Sequence, residues 1–361
     1  MNWATAGMAA GVIGIGILAP GLGTARPSAP TQDPGFDPAA RVSQAKQIKV
    51  GGSPTGIARA RGRMYVAVLG TDSVAAIDIR SNKVVARYTG FPDAENVIAT
   101  PDGKTVFVSV SSDFGVRAIN TTTGKVRKYK SSGGSLVLSP DGKYLYASPG
   151  GGPIQRTNLR NRRVRDVPGS EGFSAQTISP HGKFLFAWTA NIQPDNTAHP
   201  QLMKIRAESG RVVKQVDITE ETLWMFAGDL LLGPKSKWLY VSKQCINDGW
   251  TGVSGHTVQR YRSSDLSEGK EYDVGFGDTN VELGPQGMAF SVKRWKTRLA
   301  VANSTTGKVA IVNLRTGKTK TRATGFAPTD VAFRKSGRKL FVTNTGFGGI
   351  YPNTVSVLRF G

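Results

Sequence analysis

Proton transfer near neutral pH falls first to histidine, and this 361-residue chain has three, His181, His199 and His256. An imidazole oriented by a carboxylate is the minimum for general-base work. His199 or His256 as base, with Asp248 or Glu282 orienting it or helping to hold a metal, is therefore the candidate catalytic set. Trp224, Trp250, Asp195 and Asp278 share the same polar stretches, and their aromatic and acidic character suits a cationic or neutral small ligand, or a partner surface. A second set, Glu95, Asn96, Asp229 and Asp330, offers oxygen donors alone, the kind that Ca²⁺ or Mg²⁺ takes. The competing expectation is plainer: these oxygens bond to solvent and neighbouring backbone, and the histidines are surface residues. His181 replaces an aspartate in a turn and reads as a turn residue. The lone Cys245 excludes an intramolecular disulfide and has no base assigned to it. No Gly-x-Ser-x-Gly elbow, His-Glu-x-x-His helix, phosphate loop or haem-attachment cysteine pair occurs, so those enzyme classes lose support.

Residues so far apart converge only if a repeat brings them together, and the chain has one. Thr100-Pro101-Asp102-Gly103-Lys104, Ser139-Pro140-Asp141-Gly142-Lys143 and Ser179-Pro180-His181-Gly182-Lys183 recur about every 40 residues, the period of a four-stranded propeller blade. Short apolar runs flank each copy, such as Val97-Ile98-Ala99 and Val106-Phe107-Val108. Proline presets φ and glycine supplies the left-handed position, so each unit reads as a β-hairpin. Degraded copies precede Met64, Trp238, Leu299 and Leu340, which makes seven hairpins. A second turn recurs after them, as in Thr122-Thr123-Gly124-Lys125 and Arg315-Thr316-Gly317-Lys318. The last hairpin is followed only by Thr354 to Leu358, one strand short, and Gln47 to Val50 supplies the missing outer strand. The expected fold is all-β: a seven-bladed β-propeller of four-stranded antiparallel blades, the ring closed by strands from both termini.

Leu239-Tyr240-Val241-Ser242 and Phe341-Val342-Thr343-Asn344, each after a Pro-Asp-Gly-Lys-like turn, resemble the YVTN-repeat β-propeller family over roughly residues 45–361. The resemblance implies the fold of surface-layer and lactonase-like, WD40-like propellers of exported bacterial proteins. It does not choose a function, because that fold carries surface-layer modules, lactonases, lyases and redox enzymes. Blades five and six depart from the repeat by losing the turn's Asp-Gly and lengthening their connections.

In a blade the chain runs outward from a central channel, so residues entering each first strand ring that channel. Counting back from each turn gives Thr55, Asn96, Ser135, Ala175, Asp229, Gly287 and Asp330, with Glu95 one position earlier. Blades seven, one and two then place Asp330, Thr55 and Glu95/Asn96 on one arc. Long connections cluster in blades four to six, around Asn191 to Gln201, Thr219 to Ala227, Gln244 to His256 and Gly275 to Gly287. Long insertions on one sector of a rigid scaffold are where function concentrates.

Residues 1–25 read as a signal peptide or N-terminal anchor, apolar and Gly-rich, although no Lys or Arg precedes the apolar run. Residues 26–44 read as a Pro-rich flexible linker, and residues 45–361 as the propeller. With 47 basic against 25 acidic residues the net charge is +22, which suits attraction to an anionic envelope polymer or simply a solvated surface. Sequence-specific nucleic-acid binding is disfavoured: helix-turn-helix, zinc-finger and RNP patterns are missing, and no aromatic ladder accompanies the basic runs. The expectation is a secreted or envelope-associated monomer that binds a small ligand or protein partner on the channel face. The alternative is a lactonase- or lyase-like enzyme with a channel Ca²⁺ or Mg²⁺ and a loop histidine.

Overall fold

The computed structural model describes residues 45–149, 152–170, 172–189, 199–218, 224–246, 256–275, 284–293, 296–304, 306–346 and 353–360. The signal and linker segments lie outside them. The described chain forms seven four-stranded antiparallel sheets. Blades one to six are consecutive, spanning residues 53–89, 94–129, 135–166, 173–217, 224–273 and 285–323. Blade seven is made of residues 328–359 and takes its outer strand, Lys46–Lys49, from the N-terminal side. There Lys46 pairs with Val357 and Lys49 with Thr354, so the ring closes as the sequence requires and the sheet edge at the seam is covered. Among the described residues no helix is long and apolar enough to cross a membrane.

The repeated turn works through its side chains. The Thr100 hydroxyl donates to Asp102 Oδ1 and accepts from the Thr105 amide, while Asp102 Oδ1 also accepts from the Lys104 amide. Gly103 takes φ 67°, where a side chain would be strained. Ser139 and Asp141 repeat the arrangement. In blade four, His181 stands at the aspartate's place and Ser179 alone holds the turn, accepting from the Phe184 amide. Blades five and six are regular four-stranded sheets despite losing the motif, because hairpin alternation survives a change of turn.

Each second strand is buried on both faces, as in Met64 to Val68, whereas outer strands are largely exposed, Lys83–Thr89 alternating exposed and half-buried residues. The core is divided into seven clusters, one between each pair of neighbouring blades. Tyr65 packs with Val97 and Ile119 between blades one and two, for example, and Trp188 with Leu230 and Leu239 between four and five. Every blade therefore relies on both neighbours for its buried surface, which is why the ring must close.

Rings meet basic residues across strands, through cross-strand register. Tyr144, Phe184 and Trp238 open the second strands of blades three to five. Cations from the third strands cover them: Arg156 lies 5.1 Å from the Tyr144 centroid, Lys204 4.7 Å from Phe184 and Arg260 3.9 Å from Trp238.

Candidate functional site

The innermost strands are stitched together by side chains reaching into the next blade. Thr343, in the Phe-Val-Thr-Asn string, donates to the Thr55 carbonyl at 2.7 Å and accepts from the Asp330 amide. Ser242, its counterpart in blade five, donates to the Gln286 carbonyl at 2.9 Å. Thr55 donates to the Glu95 carbonyl, Ser304 to that of Pro328, and Gln176 back to that of Ser135. Asn344 donates to Thr354 and Ser356 and accepts from the Gly325 amide, tying its blade's third strand to the chain that enters it. The Thr and Asn of the repeated string thus close gaps that strand pairing leaves open.

The ring carboxylates join this stitching. Asp229 Oδ2 accepts from the Met288 amide of blade six at 2.9 Å, and Oδ1 from its neighbour Leu230 at 2.7 Å. Asp330 repeats the pattern, Oδ2 accepting from the Ile57 amide of blade one and Oδ1 from Val331. Bonding to the next blade's backbone is the plainer of the two sequence expectations, and it is observed for both aspartates. Gly287 lies between them: a Cβ there would meet Asp330 Oδ1 at 2.4 Å. Gly56 is wedged in the same way against the Glu95 carbonyl, also at 2.4 Å. Strand pairing makes Gly56, and not Thr55, the counterpart of Asp330, because the Arg61-Gly62 turn of blade one is two residues shorter than the Pro-Asp-Gly turns. Around the arc the order is therefore Asp229, Gly287, Asp330, Gly56 and Asn96.

These acids hold their protons tightly. Burial pushes Asp330 up to about 7, against the pull of the Ile57 amide and with added repulsion from Asp229. Burial takes Asp229 to about 6, opposed by the Met288 and Leu230 amides. Glu95, 8% exposed, rises to about 7 by burial, with the Ser111 hydroxyl pulling it down and Asp93 pushing it up. Among the described residues no three His, Cys, Asp or Glu side chains gather as a metal would need. Two amide groups near the ring lack a partner among the described residues, Asn96 Oδ1 and Gln286 Nε2, the latter on a residue 2% exposed.

The loop candidates fall out unevenly. Asp195, Asp248, Trp250, Asp278 and Glu282 lie outside the described residues, and Trp224 opens the inner strand of blade five with its backbone paired to Ile246. His199 is exposed just before the third strand of blade four. His256 is half-buried and lies within electrostatic reach of Glu271, which sequence reasoning missed. Burial pushes Glu271 up, but the Thr257 hydroxyl at 2.7 Å, the Lys243 ammonium at 3.3 Å and His256 outweigh it and hold it below the usual range. The signal was there in the hairpin register: Gln259 faces Glu271 and Thr257 faces Asp273, which sets Glu271 among the side chains at the start of the third strand.

No protein-family profile matches the chain, and no curated protein matches it. Its fold is similar to that of a chain of hydrazine synthase from Kuenenia stuttgartiensis, with a TM-score of 0.71 over 85% of this chain and 96% of that one, at 20% sequence identity. A likeness at that identity establishes the architecture that two chains share: this chain is an all-β, seven-bladed propeller, similar in fold to a propeller found in hydrazine synthase.

Proposed function

We propose that this chain is an exported β-propeller of the YVTN type, a monomer that binds a small ligand or a protein partner at its channel mouth. Blades four to six supply the contact surface, and the basic outer strands hold the protein against an anionic envelope polymer. The observation that carries the reading is the uneven length of the connections. In an antiparallel blade the link from second to third strand and the link into the next blade leave from one face, the face where inner strands begin. The three longest links on that face belong to blades four to six, residues 190–200, 247–256 and 274–284, followed by 345–353 of the neighbouring blade seven, whereas blade one turns there within Gly70 to Asp72. Rigid scaffold with long loops on one sector is how binding surfaces are built. Kinship to the YVTN repeat is supported by the stitching that Thr343, Asn344 and Ser242 perform.

A thermal-shift screen of cationic and neutral small molecules tests this reading. A stabilising compound should lose its effect in Trp224→Ala and Trp250→Ala but keep it in Arg127→Gln. A compound indifferent to both tryptophans would remove the sector from the account. The nearness of His256 to the Glu271 carboxylate favours a second reading, a lactonase- or lyase-like enzyme with the loop histidine His256 as general base. Turnover of lactone substrates that His256→Ala abolishes while the protein stays folded would establish it.

A further inference from the structure

Where the termini close the ring there is a cavity of about 440 Å³ lined by Lys46, Asn82, Arg322, Val357, Leu358 and Arg359. Its three cations come from three strands: Lys46 from the N-terminal strand, Arg359 from the last strand and Arg322 from the outer strand of blade six. Lys339 stands directly opposite Arg359 in the sheet and donates to the Ile79 carbonyl at 2.8 Å and to Asn82 Oδ1 at 3.1 Å, which anchors a fourth cation beside the cavity. Burial and then the charges of Arg359, Arg334 and Lys46 lower the Lys339 pKa, and Asp78 acts in the opposite direction. Among the described residues none of Lys46, Arg322, Lys339 and Arg359 belongs to an ion pair.

Facing like charges across a sheet destabilise it, and in a chain of net charge +22 a bound anion would relieve the crowding. Two guanidinium groups present planar forks that match phosphate oxygens, and a lysine adds a point charge. We propose that the seam cavity binds a phosphate group through Lys46, Arg322 and Arg359, with Lys339 and Asn82 at its back. The site is separate from the channel mouth and stands whether or not that reading does. It gives the attraction to anionic material a defined place on the surface.

Titration calorimetry of the full chain with inorganic pyrophosphate, at constant ionic strength, tests the site. Arg322 and Arg359 are exposed, so the double variant R322Q/R359Q keeps the core intact. R127Q/R165Q, on the outer strands of blades two and three, removes the same charge elsewhere. Losing two charge-assisted contacts should weaken pyrophosphate about tenfold or more in the seam variant, against less than about twofold in the control. K46Q alone should weaken it by an intermediate amount. Equal weakening in both double variants, or no binding by the unaltered protein, would overturn the proposal. Phosphatidylglycerol–phosphatidylcholine vesicles separate the sources. Vesicle binding lost only in the seam variant assigns the phosphate to a lipid headgroup, and pyrophosphate binding without vesicle binding assigns it to a soluble phosphate.

Discussion

Asp330 shows how much one side chain decides. Its two carboxyl oxygens accept from Ile57 and Val331, joining blade seven to blade one, while burial opposes its charge. The folded carboxyl, near 7, holds its proton more tightly than an unfolded one near the ordinary value of 3.8. Its contribution to stability is therefore complete below that ordinary value, is lost as pH rises through the folded value, and stays lost above it. Asp229 and Glu95 act in the same sense. Urea unfolding from about pH 5 to about pH 8 should show stability falling, each displaced pH unit being worth about 1.4 kcal/mol, and Asp330→Asn should flatten the fall. Stability that rose over this range would contradict the account. Because backbone amides already occupy these carboxylates, a chelator should leave the melting temperature unchanged. A second residue under strain is Phe114, which sits at φ 44° in the turn between the second and third strands of blade two and is 60% exposed. A bulky side chain is held there at a cost, so Phe114→Gly should raise stability by about 1 kcal/mol in urea unfolding. No gain would mean that the aromatic ring repays its strain within the fold.

The element that matters most is the innermost strand. Its neighbours approach so closely that Gly56 and Gly287 have no room for a methyl group. Gly287→Ala should destabilise the protein by about 1–3 kcal/mol, through a displaced Asp330 and a looser seam between blades six and seven. Thr343→Val keeps the shape but leaves the Thr55 carbonyl without its donor, for a comparable loss of about 1–3 kcal/mol. Calorimetric melting of both variants checks these outcomes, and an unchanged Gly287→Ala would mean that the inner strands are looser than the geometry requires. The hairpins were legible in the sequence because the Pro-Asp-Gly turn announces itself locally through Thr100, Asp102 and Gly103. The stitching was not. It depends on which residue of one blade faces which residue of the next, and a two-residue difference in the Arg61-Gly62 turn was enough to put Thr55 where Gly56 stands. The nearness of His256 to Glu271 likewise comes from register across a hairpin.

At the scale of the whole molecule, the ring is closed by a four-residue strand, and the account makes that strand essential. Deleting residues 1–50 would leave the Thr354–Arg359 strand as an exposed edge and open the cluster that Ile48 and Val50 share with blade one. Size-exclusion chromatography should then show aggregation or strand-exchanged oligomers, whereas a monomer melting like the full chain would contradict ring closure. Closure was legible because the two ends complement each other by one strand. The function was less so, because a propeller presents its chemistry on loops, and five of the candidate residues lie in segments outside the described residues. The most direct test of the binding role is hydrogen–deuterium exchange of the full chain with and without a solubilised envelope extract. Protection is expected on the channel face of blades four to six, within residues 190–200, 247–256 and 274–284, in addition to any at the basic outer strands and the seam cavity. Protection confined to the opposite face, around the turns at Asp102, Asp141 and His181, would contradict that role.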